Sequence, residues 1–145
     1  MSIRVVRVAV ERTLALRQAV LRPLLRPENL LHPWDSLPTT AHFGAFVENE
    51  LVGVATFVES SRTGSVREWR LRGMAAAPEF RGRGIGRALI DAGRAFVAGS
   101  GGSAIWCHGR ESARQFYEKL GFVVCSDRFE DPVSGLHFVM ESTLF

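Results

Sequence analysis

Apolar and polar positions alternate with one period in the first half of the chain and with another in much of the second. From Ile3 to Val10, β-branched residues are interspersed with arginines, which predicts a first strand. "ERTLALRQAVLRPLL" places Leu14, Val20, Leu21 and Leu24 near helical spacing, and Pro23 limits how far a regular helix can run. "RPENLLHPWDSLPTT" holds Pro27, Pro33 and Pro38 and predicts an irregular loop. "AHFGAFV" and "LVGVATFV" flank Glu48-Asn49-Glu50, the signal of an antiparallel hairpin. "SVREWRLRGMAAA" predicts a further strand, with Val66, Glu68, Arg70 and Arg72 on one face and Arg67, Trp69 and Leu71 on the other.

After Gly84 the period lengthens. Ile85, Ala88, Leu89, Ala92 and Phe96 recur at helical spacing until "GSGG" ends the helix. "SAIWC" predicts a short buried strand. "SARQFYEKLGF" predicts a helix with Ser112 and Gln115 at capping-box spacing, an apolar face of Ala113, Phe116, Tyr117 and Leu120, and Gly121 as its C-terminal cap. "FVVCS" and "LHFVME" predict two closing strands around the turn "EDPVSG". No repeat or linker interrupts this order, so residues 1–145 are expected to form a single α/β domain.

Composition narrows the class. The chain has 145 residues, of which 46% are apolar and ten are phenylalanine, which is enough for a core. Seventeen of its eighteen basic residues are arginine, and Lys119 is the exception. A net charge of +3 spread over the chain is not the clustered charge of a nucleic-acid binder, and an anionic small molecule would be served equally well. The start "MSIRVVRVAV" is too short and too charged for a signal peptide, and no apolar run approaches the ~20 residues of a membrane span. Cys107 and Cys125 form no C-x-x-C pair and read as reduced thiols. A soluble, cytoplasmic protein is expected. The histidines are scattered, with no H-x-x-x-H spacing, and predict no metal site.

The stretch "RGRGIGR", from Arg81 to Arg87, carries the chemistry. A helix N-terminus offers about four unpaired amides and a partial positive charge, so it attracts anions. Glycine at Gly82, Gly84 and Gly86 lets the backbone approach a phosphate, and Arg81, Arg83 and Arg87 add charge-assisted donors. The nucleotide templates fail: a Rossmann loop needs glycine where Arg87 or Leu89 stands, and a Walker loop needs a lysine that is not there. A pyrophosphate or similar group docked on Gly82 to Arg87 is the reading that the residues favour.

With Arg81, Gly84 and Gly86 at R/Q-x-x-G-x-G/A spacing, the stretch resembles the signature of the GNAT superfamily of acyl-CoA N-acyltransferases. "RGMAAAPE" before it resembles the family's strand end that pairs with pantetheine, and "ARQFYEKLGF" resembles its second signature. Together with "LRQAVLRP" and "WCHGRESARQFYEKLGF" these resemble a bacterial subgroup of small N-acetyltransferases. In place of an asparagine-alanine pair common in that subgroup, this chain has His108-Gly109. The resemblance implies a mixed, largely antiparallel sheet of about six or seven strands flanked by helices and splayed between the fourth and fifth strands. It implies acetyl-CoA as cosubstrate, held by Arg81, Gly82, Arg83, Gly84, Ile85, Gly86 and Arg87, by the amides of Met74, Ala75 and Ala76, and beside Tyr117. It also implies direct transfer of the acetyl group to a small-molecule primary amine.

Such a transfer needs a neutral amine, a stabilised oxyanion and a proton for the departing thiolate. Tyr117 is the expected acid, since a phenol titrating near ~10 can donate to a thiolate near ~8.5. Glu68 is the expected base, acting through water, with His42, His108 and His137 as other candidates. Arg70 and Arg72 share a face with Glu68, which can balance one of them, so the other guanidinium is expected either to hold an anionic group on the acceptor or to pair with Glu79, Glu111 or another internal carboxylate. A module that binds acyl-CoA without turning it over is the other reading. An exposed final strand would offer an edge for a homodimer.

Overall fold

The computed structural model describes residues 1–132 and 134–144; Val133, in the predicted turn "EDPVSG", lies outside the described residues. Eight strands form one sheet: β1 (Arg4–Arg7), β2 (Ala41–Val47), β3 (Glu50–Glu59), β4 (Glu68–Ala76), β5 (Ala104–Arg110), β6 (Val123–Val124), β7 (Phe129–Asp131) and β8 (Gly135–Thr143). Their order is β1-β2-β3-β4-β5-β8-β6, with β7 also on β8. The recorded pairings are antiparallel except β4 with β5, and that crossover runs through α2 (Ile85–Gly99). The count exceeds the expected six or seven. The additional strand is β7, whose last two residues, Glu130 and Asp131, begin what the sequence suggested was a turn.

The chain divides into two compact units. The N-terminal unit is Met1–Val58 with Leu71–Phe96, and the C-terminal unit is Glu59–Arg70 with Val97–Phe145. No linker marks this division, because β4 itself passes from one unit to the other between Arg70 and Leu71.

In the N-terminal unit β1, β2 and β3 form a meander. Glu48 and Asn49 both have positive φ (49° and 68°), the two-residue turn that suits the twist of a hairpin. Val52, Val54, Phe57, Ile85, Leu89 and Ile90 are its buried core. The expected first helix is less regular than its spacing suggests. A 3₁₀ turn (Val10–Thr13), a single α turn α1 (Leu14–Leu16) and a π turn (Arg17–Leu21) follow one another. Their buried residues are Thr13 and Arg17, whereas Leu24 is 98% exposed. The apolar spacing misled here because a buried ion pair, described below, takes the inward face.

In the C-terminal unit the β4–β5 ladder holds three registers, Glu68↔Ala104, Trp69↔Ile105 and Arg70↔Trp106. Beyond these registers β4 continues to Ala76 and β5 to Arg110. α3 (Arg114–Lys119) follows a 3₁₀ turn at Glu111–Ala113, with no side-chain cap bond, so the expected Ser112–Gln115 box does not form. Gly121 does take the left-handed C-terminal position (φ 91°). Tyr117 and Leu120 are buried, but Phe116 is exposed. β8 has β5 on one side and β6 and β7 on the other, so the final strand is not an open edge for a second copy.

Candidate functional site

The phosphate-binding candidates lie in the N-terminal unit. After β4, Ala77 donates its amide to Val52 O (2.8 Å), and a 3₁₀ turn at Pro78–Phe80 leads into Arg81. Gly82 and Gly84 then adopt φ of +77° and +87°, a path that a β-carbon would strain. A Cβ on Gly82 would meet nothing within 4 Å, and one on Gly84 would meet only Ile3 Cδ1 at 3.9 Å. These glycines therefore serve the course of the backbone and leave the space over the loop open.

The first bond of α2 runs from Ala88 N to Gly84 O (3.0 Å), so the amides of Ile85, Gly86 and Arg87 stand ahead of the helical ladder. The Ile85 side chain is fully buried and anchors the turn, leaving only its backbone for a ligand. Arg81, Arg83 and Arg87 are exposed, and among the described residues none of them has a carboxylate partner. Open backbone amides, uncompensated guanidinium groups and a helix dipole fit a pyrophosphate group.

The strand end before this loop bends at Gly73, whose φ is +58°. A Cβ there would stand 3.1 Å from Arg17 Nε, so the absent side chain makes room for a buried guanidinium. Arg17, 3% exposed, forms a bidentate pair with Asp35 through Nη1–Oδ2 (2.8 Å) and Nη2–Oδ1 (2.9 Å). It also donates to Leu30 O (3.1 Å) and Thr56 Oγ1 (2.9 Å). His42 completes the group: Nε2 donates to Asp35 O (3.1 Å), leaving Nδ1 to accept from the Thr56 hydroxyl (2.8 Å). Both ring nitrogens are spent on the fold, so His42 is a structural histidine. This network joins the irregular loop to the sheet. The sequence carried no sign of it, because Arg17 and Asp35 are eighteen residues apart with no motif between them. Met74 and Ala76 are half-buried and Ala75 buried beyond the bend.

The acid–base candidates lie in the C-terminal unit. Tyr117 is buried on α3, edge-on to Phe116 and Phe122. Its ring lies against Gly109 of β5, where a Cβ would come within 3.2 Å of Tyr117 Cδ2 and 3.0 Å of Met140 Sδ. Gly109 in the His108-Gly109 pair thus seats the tyrosine. Burial pushes the phenol above its ordinary pKa, Cys107 adds to the shift and Arg110 opposes it. The hydroxyl stays protonated, the state from which an acid starts, but is a weaker acid than the free phenol that the sequence suggested, and it has no hydrogen-bond partner among the described residues.

Glu68 does not have the surroundings of a base. It is 4% exposed, and Oε1 accepts from Ser61 Oγ (3.1 Å), Arg62 N (3.2 Å), Thr63 N (2.9 Å) and Thr63 Oγ1 (2.7 Å). Burial alone would raise its pKa, but the Thr63 amide and hydroxyl, Ser61 and the Arg62 amide outweigh it and hold the carboxyl below the ordinary range. A carboxylate stabilised in this way takes up protons poorly. Glu68 organises the β3–β4 loop, and it balances neither strand arginine. Arg70 lies over the Trp106 ring (4.7 Å) and donates from Nη2 to His108 Nδ1 (3.1 Å), while Arg72 belongs to the other unit.

The Arg70 bond also settles the role of His108. A guanidinium cannot accept, so Nδ1 accepts and Nε2 carries the proton, which makes the exposed edge of the ring a donor. His137 is buried, with Nδ1 donating to Gly135 O (2.8 Å) and its ring stacked on Phe129. Cys107 is buried as well, and burial pushes its thiol up to about 12, so it is no nucleophile at neutral pH. Among the described residues no group of His, Cys, Asp and Glu could hold a metal, and no helix is long and apolar enough to cross a membrane.

Known proteins resemble this chain in sequence or in fold. The family model described as the acetyltransferase (GNAT) family matches residues 11–122. The uncharacterized N-acetyltransferase YitI of Bacillus subtilis is 32% identical over 139 residues, covering 94% of this chain and 93% of that protein. Escherichia coli ElaA superposes with a TM-score of 0.80 at 17% identity, covering 97% of this chain and 99% of its own. An aminoglycoside 6'-N-acetyltransferase solved with coenzyme A superposes with a TM-score of 0.75 at 17% identity, covering 100% and 98% of the two chains. The match to YitI along nearly all of both chains and the family model over most of this one agree with the glycine-arginine loop and the mixed sheet, and this protein belongs to the GNAT acetyltransferase family.

Proposed function

We propose that the protein is an acetyl-CoA-dependent N-acetyltransferase that transfers the acetyl group directly to a primary amine of a small molecule. The observation that carries this reading is the Arg81–Arg87 loop, with two left-handed glycines, open amides at the head of α2 and three arginines lacking carboxylates. A structural neighbour solved with coenzyme A supports the choice of cosubstrate. In the reaction a neutral amine nitrogen attacks the thioester carbon, and the amides of Met74, Ala75 and Ala76 donate to the developing oxyanion. The C–S bond then breaks, the thiolate takes the Tyr117 proton, the amine proton leaves to solvent, and Tyr117 regains a proton from solvent to close the cycle. Direct transfer is supported by Cys107, whose thiol is held protonated by burial. Both cysteines are free, and the cytoplasm is the proposed compartment.

Release of coenzyme A thiol in the presence of a panel of amines tests the reading. Acetylated product should form with at least one amine, with no acetyl-enzyme detected by mass spectrometry. Tyr117→Phe should retain acetyl-CoA affinity by calorimetry and lose roughly 10²–10⁴-fold in turnover where chemistry limits the rate. Arg81→Ala and Gly84→Ala should weaken acetyl-CoA binding with the melting transition retained. Wild-type affinity in both would remove the cradle. Tight binding with no turnover of any amine would favour the second reading, a module that holds acyl-CoA, which gains support from the engagement of Glu68 in its loop.

A further inference from the structure

The N-terminal unit holds more positive charge around Trp34 than its carboxylate can balance. Arg17, Arg22 and Arg72 all lie close enough to His32 to act on its charge, and Asp35 is the one carboxylate among the causes of that shift. Asp35 is already occupied: both its oxygens take Arg17 and one also takes the His32 amide (2.9 Å). Arg72, half-buried on β4, has neither a carboxylate nor a hydrogen-bond partner among the described residues. Its recorded neighbour is the ring of Trp34, 4.4 Å below its Cζ, with His32 stacked on the same indole at 4.4 Å. Burial pushes its pKa down and Arg17 adds to this, against Asp35. A guanidinium does not deprotonate in this setting, so the cost of its partial desolvation is answered only in part, by the charge of an Asp35 already bound to Arg17.

A second observation falls at the next residue. Arg17 Nε is buried without a hydrogen-bond partner, and it lies over Gly73, where the absent Cβ would stand 3.1 Å away. Two guanidinium groups therefore meet one bend of β4. The Trp34 ring fixes the plane of one, and Asp35 fixes the other. A fixed guanidinium with free N–H groups is suited to bidentate binding of an oxyanion.

We infer that Arg72, seated on Trp34, is the subsite for an oxyanion carried by the acceptor, so the substrate class is small amines bearing a carboxylate or a phosphate. This rests on the acetyl-transfer reading for the identity of the ligand as an acceptor. Arg72 precedes the Met74–Ala76 amides by two to four residues, roughly 7–13 Å along a strand. An amine and an anion separated by a few bonds, as in amino acids and aminosugar phosphates, span that interval once the reach of the arginine is included.

Binding is the primary readout, so that the subsite and the transfer reaction can fail separately. L-Glutamate, glucosamine 6-phosphate, glucosamine and spermidine would each be titrated by calorimetry into the protein saturated with coenzyme A. The expected order places one of the two anionic amines first, and which of them leads identifies carboxylate or phosphate as the group held. Arg72→Ala and Trp34→Leu should each weaken the preferred anion by about 10–100-fold, as for loss of a charge-assisted pair, with Arg72→Lys recovering only part. Thermal melting of each variant separates a lost subsite from a lost fold. Spermidine or glucosamine, which lack an anionic group, binding as tightly as the anions, or Arg72→Ala binding the anion as the wild type does, would overturn the subsite. Anion binding without acetylation of any amine would leave the subsite standing and count against the transfer reaction.

Discussion

Asp35 in the N-terminal unit and Glu68 in the C-terminal unit are both buried carboxylates, and both are held below the ordinary carboxyl range. The means differ. At Asp35 burial raises the pKa, but the Arg17 guanidinium bound to both oxygens, together with the His32 amide, outweighs it. At Glu68 the opposing groups are neutral amides and hydroxyls from a single short loop. One carboxylate answers a buried charge that would otherwise be stranded, and the other replaces water for a turn that folds around it. The two sites should therefore respond differently to the same conservative replacement.

The largest effect is expected from Asp35→Asn. It leaves Arg17 buried and uncompensated, so urea unfolding should show a loss of about 3–5 kcal/mol. Replacing both partners with apolar residues, Arg17→Met with Asp35→Leu, should recover part of that loss. If the single variant costs no more than the double, the ion pair is not what holds the loop. Glu68→Gln keeps the shape and one acceptor oxygen while losing charge-assisted bonds, and should cost about 1–3 kcal/mol.

Acid sharpens the comparison. The folded pKa of each group lies below its unfolded value, near ~3.9 for Asp and ~4.3 for Glu, so the stability each contributes is complete above those values. That stability is lost as pH falls through the folded pKa values. Each single variant should therefore have a flatter acid limb in unfolding free energy than the wild type. A limb unchanged in both variants would mean that other groups drive acid unfolding. The smallest effect belongs to the surface. Arg62 pairs with Glu141 at 3.0 Å with both side chains more than a quarter exposed, and Arg62→Ala should change stability by no more than about 1 kcal/mol and lose even that in high salt.

Much of the architecture was legible in local pattern. The hairpin was marked by Glu48-Asn49 between two apolar runs, and α2 by its apolar spacing from Ile85. The loop ahead of α2 was equally plain as a tight turn, because its alternate glycines suit the left-handed φ that Gly82 and Gly84 adopt. The Glu68 assignment went astray for a physical reason: parity along a strand says which face a carboxylate takes, but not which donors a neighbouring loop will fold onto it. Ser61, Arg62 and Thr63 looked like ordinary loop residues until the turn closed.

The sequence by itself determined the family signature, the order of strands and helices, the glycine-rich, basic character of Arg81–Arg87 and the candidacy of Tyr117. Those features are written in glycine spacing, charge and periodicity, which act over a few residues. Tertiary structure decided which polar groups meet: Arg17 with Asp35 and Thr56, Gly109 with the Tyr117 ring, Arg70 with His108, and Arg72 with Trp34. All but the Gly109–Tyr117 contact join segments far apart in the chain, and whether a charge is answered, stacked or left open depends on what packing brings beside it. That is why two arginines two residues apart on one strand end in different surroundings, one bound to a histidine and one held on a tryptophan with its donors open.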